Sequence, residues 1–208
     1  MADPPLTFRR LVGLDRSGGP PPQTRRGEPL NPWTIPNAIG FARLALVPVF
    51  LAVGLSSGDG RSGLAFVLFA FIAWSDYFDG MAARITGQYS RLGALLDPMT
   101  DRVLVVSGAL VSWHYETLPR WALALLVARE ALMLVLTQLA LRRAIDLNVS
   151  MLGRWAVWPV MSALALALVI EGWVLDVVLY AGLAMTLAAT ARYLQDGMRA
   201  LRKASTST

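Results

Sequence analysis

Apolar residues in this chain neither alternate nor keep to one helical face. They gather in six long runs separated by short polar breaks. The runs cover roughly 36–55, 64–84, 92–113, 119–141, 151–170 and 173–194. Each is close to the ~20 residues that an α-helix needs to cross the hydrocarbon of a bilayer. The breaks read SSGDGRSG after the first run, HYETLPR after the third, RRAIDLNVS after the fourth and EGW after the fifth. No period-two alternation competes with helix, and no internal repeat is visible. The pattern predicts an all-α, polytopic integral membrane protein with six transmembrane helices.

Composition sharpens this picture. A 208-residue chain that is 55% hydrophobic, with mean hydropathy +0.50, is too apolar for an ordinary soluble domain. Cysteine is absent, which excludes a disulfide framework, thiolate chemistry and a zinc–sulfur site. His114 is the only histidine, so a histidine-rich metal site is excluded too. The 19 basic and 14 acidic residues leave a net charge of +5, suited to anionic headgroups and phosphates. The basic residues flank apolar runs rather than forming one face, which argues against nucleic acid as a partner.

Residues 1–31 differ from the rest. GGPPPQ, from Gly18 to Gln23, breaks any regular element, and arginines cluster at Arg9, Arg10, Arg16, Arg25 and Arg26. This stretch is expected to be a flexible basic cytoplasmic tail, touching anionic lipid through Phe8 and Leu11. Its residues do not follow the pattern of a cleaved signal peptide. A membrane domain over 32–199 and a basic C-terminal tail over 200–208 complete the expected organisation. An even number of spans puts both termini on one side of the membrane. That side collects the N-terminal arginines, Arg84, Arg91, Arg142, Arg143, Arg154, Arg192, Arg199, Arg202 and Lys203, against Arg61 and Arg120 opposite. The positive-inside rule makes it the cytoplasmic face of the inner membrane.

Within this apolar chain, residues 76–101 carry four aspartates. Asp76 and Asp79 are three apart, and Asp97 and Asp101 four apart, so each pair shares a helix face. The thirteen residues from Gly80 to Leu92 leave room for a turn, which would oppose the two acidic faces near the cytoplasmic side. Two carboxylates ~5 Å apart repel by about 3 kcal/mol at an effective dielectric near 20. Such a cluster takes up protons or binds cations, and all-oxygen ligands suit magnesium or manganese. Gly80, Ala83 and Gly93 let a ligand approach the backbone, and Arg84 offers a fork to phosphate oxygens. Together these point to metal-assisted chemistry on a phosphoanhydride.

The same residues carry a resemblance. Asp, two residues, Asp-Gly, two residues, Ala-Arg, eight residues, Gly, three residues, Asp, three residues, Asp resembles the signature of the CDP-alcohol phosphotransferase (phosphatidyltransferase) family. Every fixed position is matched: Asp76, Asp79, Gly80, Ala83, Arg84, Gly93, Asp97 and Asp101. The resemblance extends over about Trp33 to Arg199. It implies a homodimeric membrane enzyme that transfers a phosphatidyl group from CDP-diacylglycerol to an alcohol and releases CMP. By the family pattern Asp76, Asp79, Asp97 and Asp101 hold two divalent cations, Mg2+ or Mn2+. Asp76, Gly80, Ala83, Arg84 and Gly93 line the nucleotide site, and Asp101 is the candidate base.

LLDPMTDR and AREALMLVL are similar to members that use glycerol-type acceptors. Glycerol 3-phosphate is the favoured acceptor, phosphatidylglycerol (giving cardiolipin) the alternative, with inositol phosphate and serine below them. Arg154 and Arg192 are the candidates for an acceptor phosphate. Where relatives resemble Gly-Lys-x-Lys-Thr, this chain has Gly153-Arg154-Trp155-Ala156-Val157 and keeps one basic residue of two.

Other polar residues leave two readings open. Arg43, in IPNAIGFAR, either snorkels to the interface or balances the acidic cluster. Arg129 and Glu130 point ~100° apart on the fourth run, so each is expected to find its partner on another helix. Trp33, Trp113, Trp121 and Trp173 fall near run ends, as interfacial residues do. Two other classes of function compete with an enzyme. A cation transporter would explain the aspartates but not the Gly80, Ala83, Arg84 and Gly93 pattern. A non-catalytic lipid-binding scaffold would tolerate asparagine at Asp101.

Overall fold

A computed structural model describes residues 31–142 and 151–206; the expected N-terminal tail and the 143–150 part of the fourth break lie outside them. Among the described residues there are six α-helices and no strand: α1 (Ile35–Leu55), α2 (Gly63–Thr86), α3 (Arg91–Tyr115), α4 (Arg120–Arg142), α5 (Met151–Leu166) and α6 (Trp173–Thr206).

Local chemistry sets where the helices start. Thr34, Ser62 and Ser90 each precede a helix, and their hydroxyls accept from the amides of Asn37 (3.3 Å), Ala65 (3.2 Å) and Gly93 (2.9 Å). Each thereby satisfies one of the N–H groups that the first turn leaves unpaired. Gly87, at φ 65°, stops α2 in a left-handed conformation that glycine adopts without strain. The chain therefore reverses over residues 87–90 alone, a tighter turn than the window from Gly80 to Leu92 allowed, and Gly80 to Thr86 remain helical.

Among the described residues three helical segments are long and apolar enough to cross a membrane: Ile35–Leu55, Gly63–Thr86 and Trp173–Gln195. Local chemistry bears on two of the other expected spans. α3 carries Asp97, Asp101 and Arg102. α5 ends at Leu166, because residues 167–170 tighten into turns whose Leu168 carbonyl accepts from the Ser62 amide at 2.7 Å. α6 runs to Thr206, well past the apolar run that ends near 194.

The chain divides into two compact units. The first holds the described chain up to Ala52 together with Val67–Leu104; the second holds Val53–Phe66 and the chain from Val105 onward. In the first, Val47, Phe50, Phe69, Ile72, Leu96 and Leu104 are buried, with Phe50 and Phe69 edge to face at 5.3 Å. In the second, α5 and α6 pack around Leu164, Leu168, Leu179 and Leu183. Large apolar side chains such as Trp74, Trp155, Trp158 and Trp173 point outward, as a lipid environment permits.

α5 and α6 approach closely at Gly182. A Cβ there would lie 2.8 Å from both the Val160 amide nitrogen and Val160 Cγ2, and 3.1 Å from Pro159 Cβ. Gly182→Ala is expected to cost about 1–3 kcal/mol, because a backbone atom cannot give way as a side-chain tip can. Gly63→Ala, with nothing within 4 Å of the new methyl, serves as the control. Thermal unfolding in detergent distinguishes them: a lower midpoint for the first and no loss for the second.

Candidate active site

Arg43 lies two turns into α1 and its side chain is 1% exposed. A buried guanidinium needs partners for its charge and its five N–H groups. Nη1 donates to Asp76 Oδ1 at 3.0 Å and to Asp79 Oδ2 at 2.8 Å. Nη2 donates to Asp101 Oδ1 at 3.0 Å, and Nε to the Ile72 carbonyl at 3.3 Å. The arginine thus balances the acidic cluster rather than snorkelling. It brings together Asp76 and Asp79, one turn apart on α2, with Asp101 on α3.

The three carboxylates are not equivalent. Asp79 is 6% exposed at its side chain, whereas Asp76 and Asp101 are 44% and 40% exposed. Asp79 is fixed in the interior, and the other two are partly exposed. Asp97 falls within α3, but its side chain lies outside the described residues.

The matched small residues have specific neighbours. The Arg84 guanidinium folds over Gly80, where a Cβ would meet Nη2 at 3.6 Å. Gly93 faces Asn37: a Cβ there would sit 2.7 Å from Asn37 Oδ1 and 3.2 Å from Ser90 Oγ. Asn37, itself buried, accepts from Ser90 Oγ at 2.7 Å and donates through Nδ2 to the carbonyls of Asn31 (2.9 Å) and Pro32 (3.1 Å). The Ile35 amide donates to Gln88 Oε1 at 3.0 Å. The start of α1 is therefore stitched to the α2–α3 turn, and Arg43 on the same helix reaches the acids. Ser90 and Gln88 carry no sequence signal of this role, since each is a small polar residue in a turn.

Arg154 and Arg192 belong to the second unit. Arg192 is exposed on α6; Arg154 is helical in α5, with its side chain outside the described residues. In that unit Arg129 Nε donates to Thr190 Oγ1 on α6 at 3.1 Å, while Nη1 pairs with Glu130 beside it. Adjacent positions on α4 do neutralise each other, contrary to expectation. The arginine stem is long enough to curl across the angle between them, and an unpaired buried charge would be costly.

As cation ligands, the residues fit. Asp76, Asp79 and Asp101 supply hard oxygen donors already gathered around one positive group, the chemistry that Mg2+ or Mn2+ requires. The described side chains converge on the guanidinium rather than on a common point ready for an ion.

Removing Arg43 would leave the buried Asp79 without its counter-charge. Arg43→Gln is expected to lower stability by about 3–5 kcal/mol, the usual cost of breaking a buried pair from one side. Arg43→Lys should recover only part of it, since a point charge cannot reach three carboxylates through a planar fork. Denaturation in detergent checks both; a wild-type midpoint for Arg43→Gln would show that the ion pairs contribute no net stability.

The sequence profile described as CDP-alcohol phosphatidyltransferase matches residues 33–188, which include all of these groups except Asn31, Pro32, Thr190 and Arg192. The chain is 37% identical over 169 residues to a protein of Streptomyces coelicolor named cardiolipin synthase (CMP-forming), covering 78% of each chain. It is 41% identical over 100 residues to a putative cardiolipin synthase of Mycobacterium tuberculosis, covering 48% of this chain and 47% of that one. It is 31% identical over 141 residues to the CDP-diacylglycerol–glycerol-3-phosphate 3-phosphatidyltransferase of Cereibacter sphaeroides, covering 64% and 62%. With three quarters of its length inside the profile and its acidic cluster assembled from the signature residues, the chain belongs to the CDP-alcohol phosphatidyltransferase family.

Proposed function

We propose that this protein is a phospholipid-synthesising enzyme that transfers the phosphatidyl group of CDP-diacylglycerol to a glycerol-type alcohol and releases CMP. The observation that carries the reading is the convergence of Asp76, Asp79 and Asp101 on one buried cation, within the segment that matches the family signature. Membership favours an enzyme over the transporter and scaffold readings. In the reaction, the acceptor hydroxyl forms a new bond to the phosphatidyl phosphorus as the bond from that phosphorus to the CMP oxygen breaks.

The residues divide the work by their surroundings. Asp79, buried and bonded to Arg43, anchors the site. Asp76 and Asp101 keep an oxygen free of Arg43, and Asp101 takes the hydroxyl proton. Arg84, with Gly80, Ala83 and Gly93, forms the nucleotide side of the site. Members of the family generally depend on a divalent cation. Two Mg2+ or Mn2+ ions, held by Asp76, Asp79, Asp97 and Asp101, would neutralise diphosphate charge as CMP departs. Arg154 and Arg192 remain the groups for an acceptor phosphate, on the resemblance alone.

Between the two glycerol-type acceptors, phosphatidylglycerol gains weight. The alignment with the Streptomyces cardiolipin synthase covers more of both chains than the one with the Cereibacter enzyme. The single basic residue after Gly153 also suits a monoanionic diester. Glycerol 3-phosphate is the second reading, supported by the relatives named for it. We further propose a homodimer in the inner membrane, with a membrane domain over 32–199 crossing six times between two basic tails. Both termini and the acids would face the cytoplasm, in keeping with the distribution of basic residues.

Purified protein should release CMP from CDP-diacylglycerol in detergent with magnesium, lose that activity in EDTA and regain it with Mg2+ or Mn2+. Full turnover in metal-free buffer would remove the cation from the mechanism. Asp101→Asn should slow turnover about a hundredfold or more while CDP-diacylglycerol still binds; a wild-type rate would end its assignment as base. Offering each acceptor separately and weighing the lipid product decides between them. Cardiolipin from phosphatidylglycerol is expected, and product from glycerol 3-phosphate alone would reverse the choice.

A further inference from the structure

Arg102 follows Asp101 in α3, about 16 Å along the helix from Arg91 at 1.5 Å per residue. That depth is about three turns into the helix, where a charged group in a membrane domain is rare unless something pairs with it. Other arginines of this chain are paired: Arg43 with three aspartates, Arg61 with Glu171, and Arg129 with Glu130 and Thr190. Arg102 differs. Its Nη1 is buried without a hydrogen-bond partner, as Arg61 Nε also is, but Arg102, unlike Arg61, makes no ion pair among the described residues. A permanently charged group with a buried, unused donor, one residue from a carboxylate of the acidic cluster, needs an acceptor that the protein itself does not supply.

The chemistry of that acceptor is narrow. A guanidinium matches oxyanions through its planar fork, and phosphate is its strongest common partner. Its neighbour Asp101 accepts from Arg43 and makes no bond to Arg102. We propose that Arg102 is a substrate-binding residue that donates to a phosphate oxyanion, and that it completes the site one residue beyond the signature. The inference rests on the phosphatidyltransferase reading for its choice of ligand. Two sources offer this chemistry: the diphosphate of CDP-diacylglycerol and the phosphate of the acceptor.

The test measures binding and turnover separately on the full chain in detergent micelles. CDP-diacylglycerol, glycerol 3-phosphate and phosphatidylglycerol are each titrated against wild type, Arg102→Gln and Arg102→Lys, with ligand-induced thermal stabilisation as the readout. Loss of one charge-assisted contact should weaken one ligand by roughly ten- to a hundredfold in Arg102→Gln and leave the others near wild type. The ligand affected identifies whose phosphate is held. Arg102→Lys should keep the charge but lose the fork, recovering part of the affinity. If Arg102→Gln does not fold, the lysine variant still decides the matter through a selective loss. Equal weakening of none or of all three ligands in the folded variants would overturn the proposal and make Arg102 a structural residue. CMP release by wild type, measured alongside, separates the two ideas. Selective binding loss without any CMP release defeats the reaction assigned above, and normal CMP release with unchanged binding defeats the role of Arg102 alone.

Discussion

Three carboxylates can lie close together inside an apolar helical protein only if positive charge lies among them. In this protein the guanidinium of Arg43 meets that condition, reaching Asp76, Asp79 and Asp101 within 3.0 Å from a third helix. The arrangement needs arginine rather than lysine, because two separate nitrogens serve acids on two helices. Arg43 also reaches the Ile72 carbonyl, so its charge and its hydrogen bonds fix the same helices. Without this contact α2 and α3 would present mutually repelling faces.

Asn37 supplies the second half of that constraint. It lies six residues before Arg43, about 9 Å along the helix, and joins α1 to the α2–α3 turn through Ser90. The proximity of Asn37 Oδ1 gives Gly93 a packing reason to be glycine. α1 is therefore the frame on which the acidic stretch is folded, though it contributes no carboxylate. Burial then makes the acids unequal, with Asp79 enclosed and Asp76 and Asp101 partly open. That inequality is what allows one cluster both to hold itself together and to present acceptor oxygens.

The second unit meets the same physical demand differently. Arg129 and Glu130 neutralise each other and tie α4 to α6 through Thr190. Arg61 pairs with Glu171 at 2.5 Å, and the neighbouring Ser62 amide bonds the Leu168 carbonyl, joining the α1–α2 loop to the end of α5. In both places a polar group is also bonded to a distant part of the chain. Such pairs specify which helices meet more than they add stability.

Helix number and approximate position were legible in the apolar runs, because the requirement for long continuous burial overrides local detail. The acidic residues and their family were equally legible, since the spacing of Asp76, Asp79, Gly80, Ala83, Arg84, Gly93, Asp97 and Asp101 is a property of the linear chain. Helix ends were not, because they depended on hydroxyl caps, on Gly87 at positive φ and on the bond that holds Leu168. Nor was the role of Arg43, as both of its readings were consistent with its place in the first run. Only the tertiary structure put it among the aspartates, paired Arg129 with Glu130 and left a nitrogen of Arg102 without a partner. The physical reason is common to all three. Sequence spacing sets which residues share a helix face, but whether a charge is answered on its own helix, on another or not at all depends on how the faces meet.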